Sequence, residues 1–287
     1  HLLYQELYPY FEKKFIFDSY SCRLNKGTHK ALYRFREFAR CISRNHTRTC
    51  WALQCDIKKF FANIDHAVLK NILAKHISDK DVLCLLHEVI DSFHTEGNRN
   101  IGLPLGNLTS QLFVNIYMNE FDQFVKHKLK EKYYIRYADD FIFLSESRDK
   151  LETLLPHISH FLQSELYLSL HERKVKIRTF ASGVDFLGWV HFPYYSVLRT
   201  TTKRRMLKNI SPNSSEATTA SYKGMLKHGS TYHCVLKLNA GLRAYNTFKQ
   251  QPPETMDRSE GIRVEGAKGR KGGAAQDPRA ISPVAGR

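Results

Sequence analysis

Tyr137-Ala138-Asp139-Asp140 decides the reading of this chain. It stands between two short runs rich in aromatic and β-branched residues, Tyr133 to Arg136 before it and Phe141 to Leu144 after it. Two such runs joined at a tight acidic turn predict a β-hairpin. Adjacent carboxylates at a hairpin tip repel one another unless a cation lies beside them. A hard divalent cation such as Mg²⁺ takes oxygen ligands and keeps water or substrate phosphate in its remaining positions. The hairpin therefore asks for a metal, a phosphate and a further carboxylate elsewhere in the chain. A solvated Asp-Asp turn is the plain alternative.

The further carboxylate is found upstream. Trp51-Ala-Leu-Gln-Cys-Asp56-Ile57 predicts a buried strand that delivers Asp56 at its carboxyl end, where ligands often sit. Lys58-Lys59-Phe60-Phe61 follows. Asp65 predicts a cap for a helix through His76, and Ser78-Asp79-Lys80-Asp81 a capping box for the next, to about Phe93. Gly102-Leu-Pro-Leu105-Gly106-Asn-Leu-Thr-Ser110-Gln111 opens a long amphipathic helix from about Leu108 to Leu129, whose first turn presents free N–H groups. Asn119 and Asp122 on it read as exposed or structural. Ahead of all this, apolar residues at helical spacing run through residues 1 to 17. A basic, Gly-containing loop follows, with Arg23, Lys26, His29 and Lys30, and then a helix to about Ser43. Such a loop can meet phosphate through backbone N–H groups and side-chain cations.

Beyond the hairpin, Ser147 to Leu168 reads as a helix kinked or split at Pro156. Lys174 to Ile177 and Asp185 to Val190 read as strands. From Thr200 to Leu242 the chain is Lys-rich and helical, a separate small domain. From Gln250 onward Gly, Ala, Pro and charge dominate, so residues 250–287 read as a disordered tail.

The 287 residues are enough for one large domain or two. The formal charge is +16, of which the last 36 residues hold only +2, so the folded part is itself basic. That points to a polyanionic partner, nucleic acid before an anionic membrane surface. Cys22, Cys41, Cys50, Cys55, Cys84 and Cys234 form no C-x-x-C pair, which argues against a zinc site or a disulfide framework and for reduced thiols in a cytoplasmic protein. No apolar run is long enough to span a membrane.

Taken in order, Asp56-Ile-Lys-Lys-Phe-Phe, the Gly-rich turn into a helix, Tyr137-Ala-Asp-Asp140, Leu168-Ser-Leu-His-Glu-Arg-Lys174-Val-Lys-Ile and Phe186-Leu187-Gly188-Trp189 resemble the successive motifs of reverse transcriptases. The resemblance covers roughly residues 15 to 195. It implies an α+β right-hand polymerase fold, with partial fingers over 1–50, a palm over 51–195 and a helical thumb over 196–249. It implies RNA-directed DNA synthesis with two Mg²⁺ ions held by Asp56, Asp139, Asp140 and the backbone carbonyl of Ile57. Arg23 and Lys26 fall where the fingers meet the triphosphate, Lys174 where a general acid for pyrophosphate is placed, and Phe61 where a bulky side chain excludes a 2′-hydroxyl. Phe186-Leu187-Gly188-Trp189 resembles the primer-grip hairpin. The chain opens at His1, inside the family's basic finger segment.

Within the family, Leu105-Gly106-Asn-Leu-Thr-Ser110-Gln111 resembles the enzymes of diversity-generating retroelements. Most bacterial relatives carry Gln in the position of Leu105 and Pro in that of Gln111. The resemblance then implies error-prone copying of template adenines, an RNA template, a DNA primer, deoxynucleoside triphosphates and a small basic accessory protein that oligomerises. The alternatives are a group II intron or retron type of the same enzyme, and a catalytically impaired RNA-binding protein on this fold.

Overall fold

Alternation along one strand sets the whole arrangement. β1 (Trp51–Asp56) sends Leu53 and Cys55 to one side of a sheet and Ala52, Gln54 and Asp56 to the other. β3 (Asp140–Ser145) lies antiparallel beside it and does the same, with Phe141 and Phe143 on the first side and Ile142 and Leu144 on the second. β2 (Tyr134–Tyr137) pairs with β3 on its far edge, and β4 (Lys176–Thr179) pairs with β1, so the sheet runs β2-β3-β1-β4, all antiparallel. These relations come from a computed structural model, which describes residues 2–209, 215–227 and 229–230. All of them lie in one unit, His1–Tyr245.

Each face of the sheet carries its own core, because neither face is polar enough to stand in water. The first face packs against α1 (Leu2–Glu12), α3 (His66–Ala74), α4 (Lys80–Asp91), α5 (Leu108–Gln123) and α6 (Arg148–Leu166). α5 is its centre: it buries apolar residues all round, as a helix enclosed by others must. The second face is half covered. α2 (Thr28–Ile42) lies over β2 and β3 through Ala31, Leu32, Phe35, Phe38 and Ala39. Beside it stands a second sheet of β5 (Val184–Phe186), β6 (Trp189–His191) and β7 (Ser196–Leu198), which shares this core with α7 (Thr200–Asn209) and α8 (Glu216–Leu226).

Local chemistry explains most boundaries. Asp65, Asp79, Asn107 and Ser147 each cap a helix by accepting from a backbone N–H of its first turn. Within the predicted capping box the cap is Asp79. α5 ends in one π turn, Phe124–Lys128, that carries the helical run almost to the expected Leu129. Three expectations change. α6 continues through Pro156 without splitting, since its buried row of Leu151, Leu154, Ile158 and Leu162 holds both halves on the sheet. The run from Asp185 to Val190, read residue by residue as one strand, is the hairpin that its resemblance to the primer-grip motif implied, with Leu187 (φ 50°) and Gly188 (φ 85°) as its two turn residues. Positive φ at both is the requirement of a type I′ turn, and Gly188 meets it without cost. Lys174 belongs to a single 3₁₀ turn, Glu172–Lys174, ahead of β4. The tail over 250–287, Cys234 and the second half of the segment expected as a thumb lie outside the described residues.

Candidate active site

Asp56 and Asp140 are register partners across β1 and β3, and alternation turns both to the half-covered face. Asp139 is the second turn residue of the β2–β3 hairpin. A two-residue turn with positive φ only at its first position (Ala138, φ 55°) normally has glycine there. Ala138 adopts it at a cost of about 1–2 kcal/mol. Past Asp56 the chain stays paired: the Asp56 carbonyl accepts from His171 N–H at 2.8 Å, and Ser169 O accepts from Lys58 N–H at 2.9 Å. That pairing brings the following turn back over the carboxylates. Lys174 Nζ then donates to both oxygens of Asp56, at 2.8 and 2.7 Å.

The carboxylates are crowded, and their proton affinities show it. Burial first, then a hydrogen bond with Asp56 and the charges of Asp139 and Asp56, push Asp140 up to about 7. Burial and the charge of Asp56 also raise Asp139, against its own backbone N–H, Lys174 and Arg136. The ammonium of Lys174 is raised in turn, chiefly by its hydrogen bond to Asp56. An open cleft of about 340 Å³ is lined by Asp56, Asp140 and Asp185 and by Lys174, Lys176, Arg178 and Arg199. Carboxylates and cations lining one cleft suit a phosphate-bearing ligand accompanied by a metal ion.

Among the described residues no three His, Cys, Asp or Glu side chains are already gathered around a would-be ion. The donor set nevertheless fits a hard divalent cation: acceptor oxygens only, mutual repulsion, and on Asp56 an ammonium standing where positive charge is needed.

The remaining expected residues are placed as follows. Phe61 is half-buried, edge-on to Phe60 with ring centroids 5.5 Å apart, and its carbonyl accepts from Leu103 N–H. Leu105 is 78% exposed, Gly106 has φ 83°, Ser110 is buried in the first turn of α5 and Gln111 is half-buried. In the β5–β6 hairpin Phe186 and Trp189 are buried in the second core, while Phe186 and Leu187 also line the cleft. Gln54 donates to the Asp185 carbonyl, which ties this hairpin to β1, and Arg199 pairs with the Asp185 carboxylate. Lys26 Nζ donates to Phe17 O at 2.7 Å and lies 3.5 Å over the Phe17 ring. Arg23 is placed otherwise than expected. Its guanidinium turns inward to both oxygens of Glu12 (2.9 and 2.7 Å) and to the carbonyls of Ile16 and Ser19 (2.7 and 2.8 Å). It clasps α1 to the loop that follows.

The sequence did not single out Arg136, and Asp122, read as exposed or structural, is structural and fully buried. Arg136 has the same parity as Tyr134 along β2, which sends it to the helix side. Its side chain and that of Asp122 on α5 are fully buried and joined at 2.6 and 2.8 Å, and Tyr134 Oη donates to the same carboxylate at 2.7 Å. Removing one partner of such a pair costs about 3–5 kcal/mol.

The reverse transcriptase (RNA-dependent DNA polymerase) family profile matches residues 2–191, from α1 to the end of β6. The chain belongs to the reverse transcriptase family. Among its relatives, protein YkfC of Escherichia coli (strain K12) is 25% identical over 217 residues, covering 63% of this chain and 56% of YkfC. The group II intron-encoded protein LtrA of Lactococcus lactis subsp. cremoris is 23% identical over 237 residues, covering 60% of this chain and 38% of LtrA. The apo telomerase of Candida tropicalis superposes with a TM-score of 0.56 at 14% identity, over 85% of this chain and 50% of the telomerase chain. The fold is therefore the α+β right-hand polymerase fold. The reverse transcriptase chain described here spans only about a third to a half of the relatives' lengths. Reverse transcriptase domains generally use divalent metal ions. No helix among the described residues is long and apolar enough to cross a membrane.

Proposed function

We propose that this chain is an RNA-directed DNA polymerase, extending a DNA primer on an RNA template with deoxynucleoside triphosphates. The observation that carries the reading is the pairing of Asp56 with Asp140 across β1 and β3, with Asp139 next to Asp140 in the turn and Lys174, Lys176 and Arg178 lining the same cleft as the pair. Two Mg²⁺ ions bound by Asp56, Asp139, Asp140 and the Ile57 carbonyl would activate the primer 3′-hydroxyl and neutralise charge on the departing pyrophosphate. The protein's own part is positioning. Lys174, placed on Asp56, holds a proton that it can give to the leaving pyrophosphate. Lys176 and Arg178 neutralise backbone phosphates along the cleft. Leu187 and Gly188, at the tip of the β5–β6 hairpin, hold the primer end. Phe61 excludes a ribose 2′-hydroxyl, and Lys26, with Gly106, Ser110 and Gln111, borders the nucleotide. In this reading residues 1–50 are part of the fingers, 51–195 the palm, and 196–249 the start of a thumb.

The finer reading is an error-prone enzyme of a diversity-generating retroelement, working with a small basic accessory protein. It rests on residues 105–111. An exposed Leu105 offers no hydrogen bond with which to discriminate a templating base. Similarity to a group II intron-encoded protein favours the intron type instead.

The test is deoxynucleotide incorporation on a primed RNA template with Mg²⁺, against Asp139→Ala/Asp140→Ala. Incorporation should vanish in the double variant. Product sequencing then separates the two subtypes, since only the first misincorporates opposite adenine. Template binding without incorporation, even with a candidate accessory protein added, would turn the reading to an RNA-binding protein.

A further inference from the structure

Arg136 lies outside the cleft and touches none of the carboxylates expected to hold metal. Every N–H of its guanidinium is nonetheless bonded. Nε donates to Asp122 Oδ1 (2.8 Å), and Nη2 donates to Asp122 Oδ2 (2.6 Å) and Ser19 Oγ (3.1 Å). Nη1 donates to Asn115 Oδ1 (3.4 Å) and to the carbonyl of Ala138 (3.1 Å). The last bond reaches forward two residues to the positive-φ residue that immediately precedes Asp139. Its backbone is held too: Arg136 N–H donates to Asp18 O and Arg136 O accepts from Tyr20 N–H, both at 3.0 Å. Asn115 Nδ2 donates to Ser21 O at 2.9 Å. One buried side chain thus links α5, the loop at residues 18–21 and the turn that carries the acidic pair.

We propose that Arg136, braced by Asp122, is a positioning residue that pins the Ala138 carbonyl and so keeps the strained turn in the conformation that sets Asp139 and Asp140 beside Asp56. An alanine with positive φ persists only where its surroundings over-determine it, and the bond to Ala138 O is the contact that does so. The fully buried anchor suits this work, because a guanidinium fixed by a bidentate carboxylate has no freedom to follow the turn if the turn relaxes. The proposal rests on the polymerase reading only for the consequence in metal use; the pin itself is a statement about the turn.

The experiment compares the full chain with Arg136→Lys, which keeps a positive charge for Asp122 but lacks the fork to reach Ala138 O at the same time. Because a buried change can loosen the whole protein, Leu151→Ala, in the first turn of α6 beside the end of β3 away from the acidic turn, serves as a control of similar lost stability. A third variant, Arg136→Met/Asp122→Leu/Tyr134→Phe, removes the charges together so that none is left buried alone. Two quantities are read: hydrogen exchange of peptides spanning 134–145, and the Mg²⁺ concentration for half-maximal incorporation. Losing one such bond should speed exchange at residues 138–140 and raise the metal requirement by about five- to tenfold in both Arg136 variants. Leu151→Ala should do neither. Unchanged exchange at the turn overturns the proposal, and so does a rise spread over the protein with the metal requirement of the control. If the unaltered chain incorporates nothing, the polymerase reading has failed, and exchange at the turn still decides the pin.

Discussion

Asp140→Asn should make the metal-free protein more stable while abolishing its activity. In the fold the Asp140 carboxyl holds its proton up to about pH 7, against 3.8 for an ordinary aspartate. Between those values the native state binds more protons than the unfolded chain, so this group's contribution falls as pH rises from about 4 through 7. A tenfold change in proton affinity corresponds to about 1.4 kcal/mol, which sets a ceiling of about 4 kcal/mol on the destabilisation at pH 8. The cleft is open to solvent, and screening reduces this to about 1–2 kcal/mol. An isosteric amide removes the charge and keeps the shape. For a domain of this size that is a gain of about 3–6 °C in Tm. The assay is thermal unfolding in chelator at pH 8 and pH 5. The variant should gain at pH 8 and little at pH 5, where Asp140 is already neutral. Added Mg²⁺ should raise the Tm of the unaltered protein more than that of the variant, because binding to the native state stabilises it. A variant no more stable than its parent at pH 8, or equally advantaged at both pH values, would refute the reasoning.

Lys174→Ala takes the ammonium from Asp56; the rate of incorporation at saturating Mg²⁺ should fall about 100-fold, in line with the loss of a general acid, and a rate equal to the parent's removes Lys174 from the chemistry. Phe61→Ala should admit ribonucleotides, with discrimination falling by about 10- to 200-fold in single-nucleotide kinetics while the half-buried site keeps the protein folded; unchanged discrimination makes Phe61 a packing residue only. Leu105→Gln should lower misincorporation opposite template adenine in sequenced products, and no change there sinks the Leu105 explanation. Incorporation should also need more Mg²⁺ below about pH 7, as protons compete for Asp140, and a metal requirement flat from pH 6 to 8 would contradict that assignment.

Much of the site was legible because its signals are local. A two-residue acidic turn between β-forming runs, a strand ending in Asp56 and helix caps three residues ahead of apolar rows each depend on near neighbours along the chain. Period-2 alternation then puts Asp56 and Asp140 on one face once the two strands are known to be neighbours. Arg23 misled for the same reason that it was noticed. A basic loop reads as phosphate-binding, and nothing in the local sequence says that Glu12, eleven residues earlier, takes the guanidinium. Residue by residue the run from Asp185 to Val190 looked like one strand, because Leu187 is a poor turn former, and the hairpin was legible only through the resemblance to the primer-grip motif; pairing with β7 and the tie from Gln54 hold it in place.

By itself the sequence determined the family, the acidic residues that matter and the basic character of the folded part, all of which rest on residue type and short spacing. Tertiary structure decided which charges are free and which are committed. Lys174 sits on Asp56, 118 residues away in the chain, and Arg136 is sealed against Asp122 and the acidic turn. Those partners are chosen by burial: a charge removed from water must find its counter-charge wherever the packed elements bring one, and that distance in space is not written in distance along the chain.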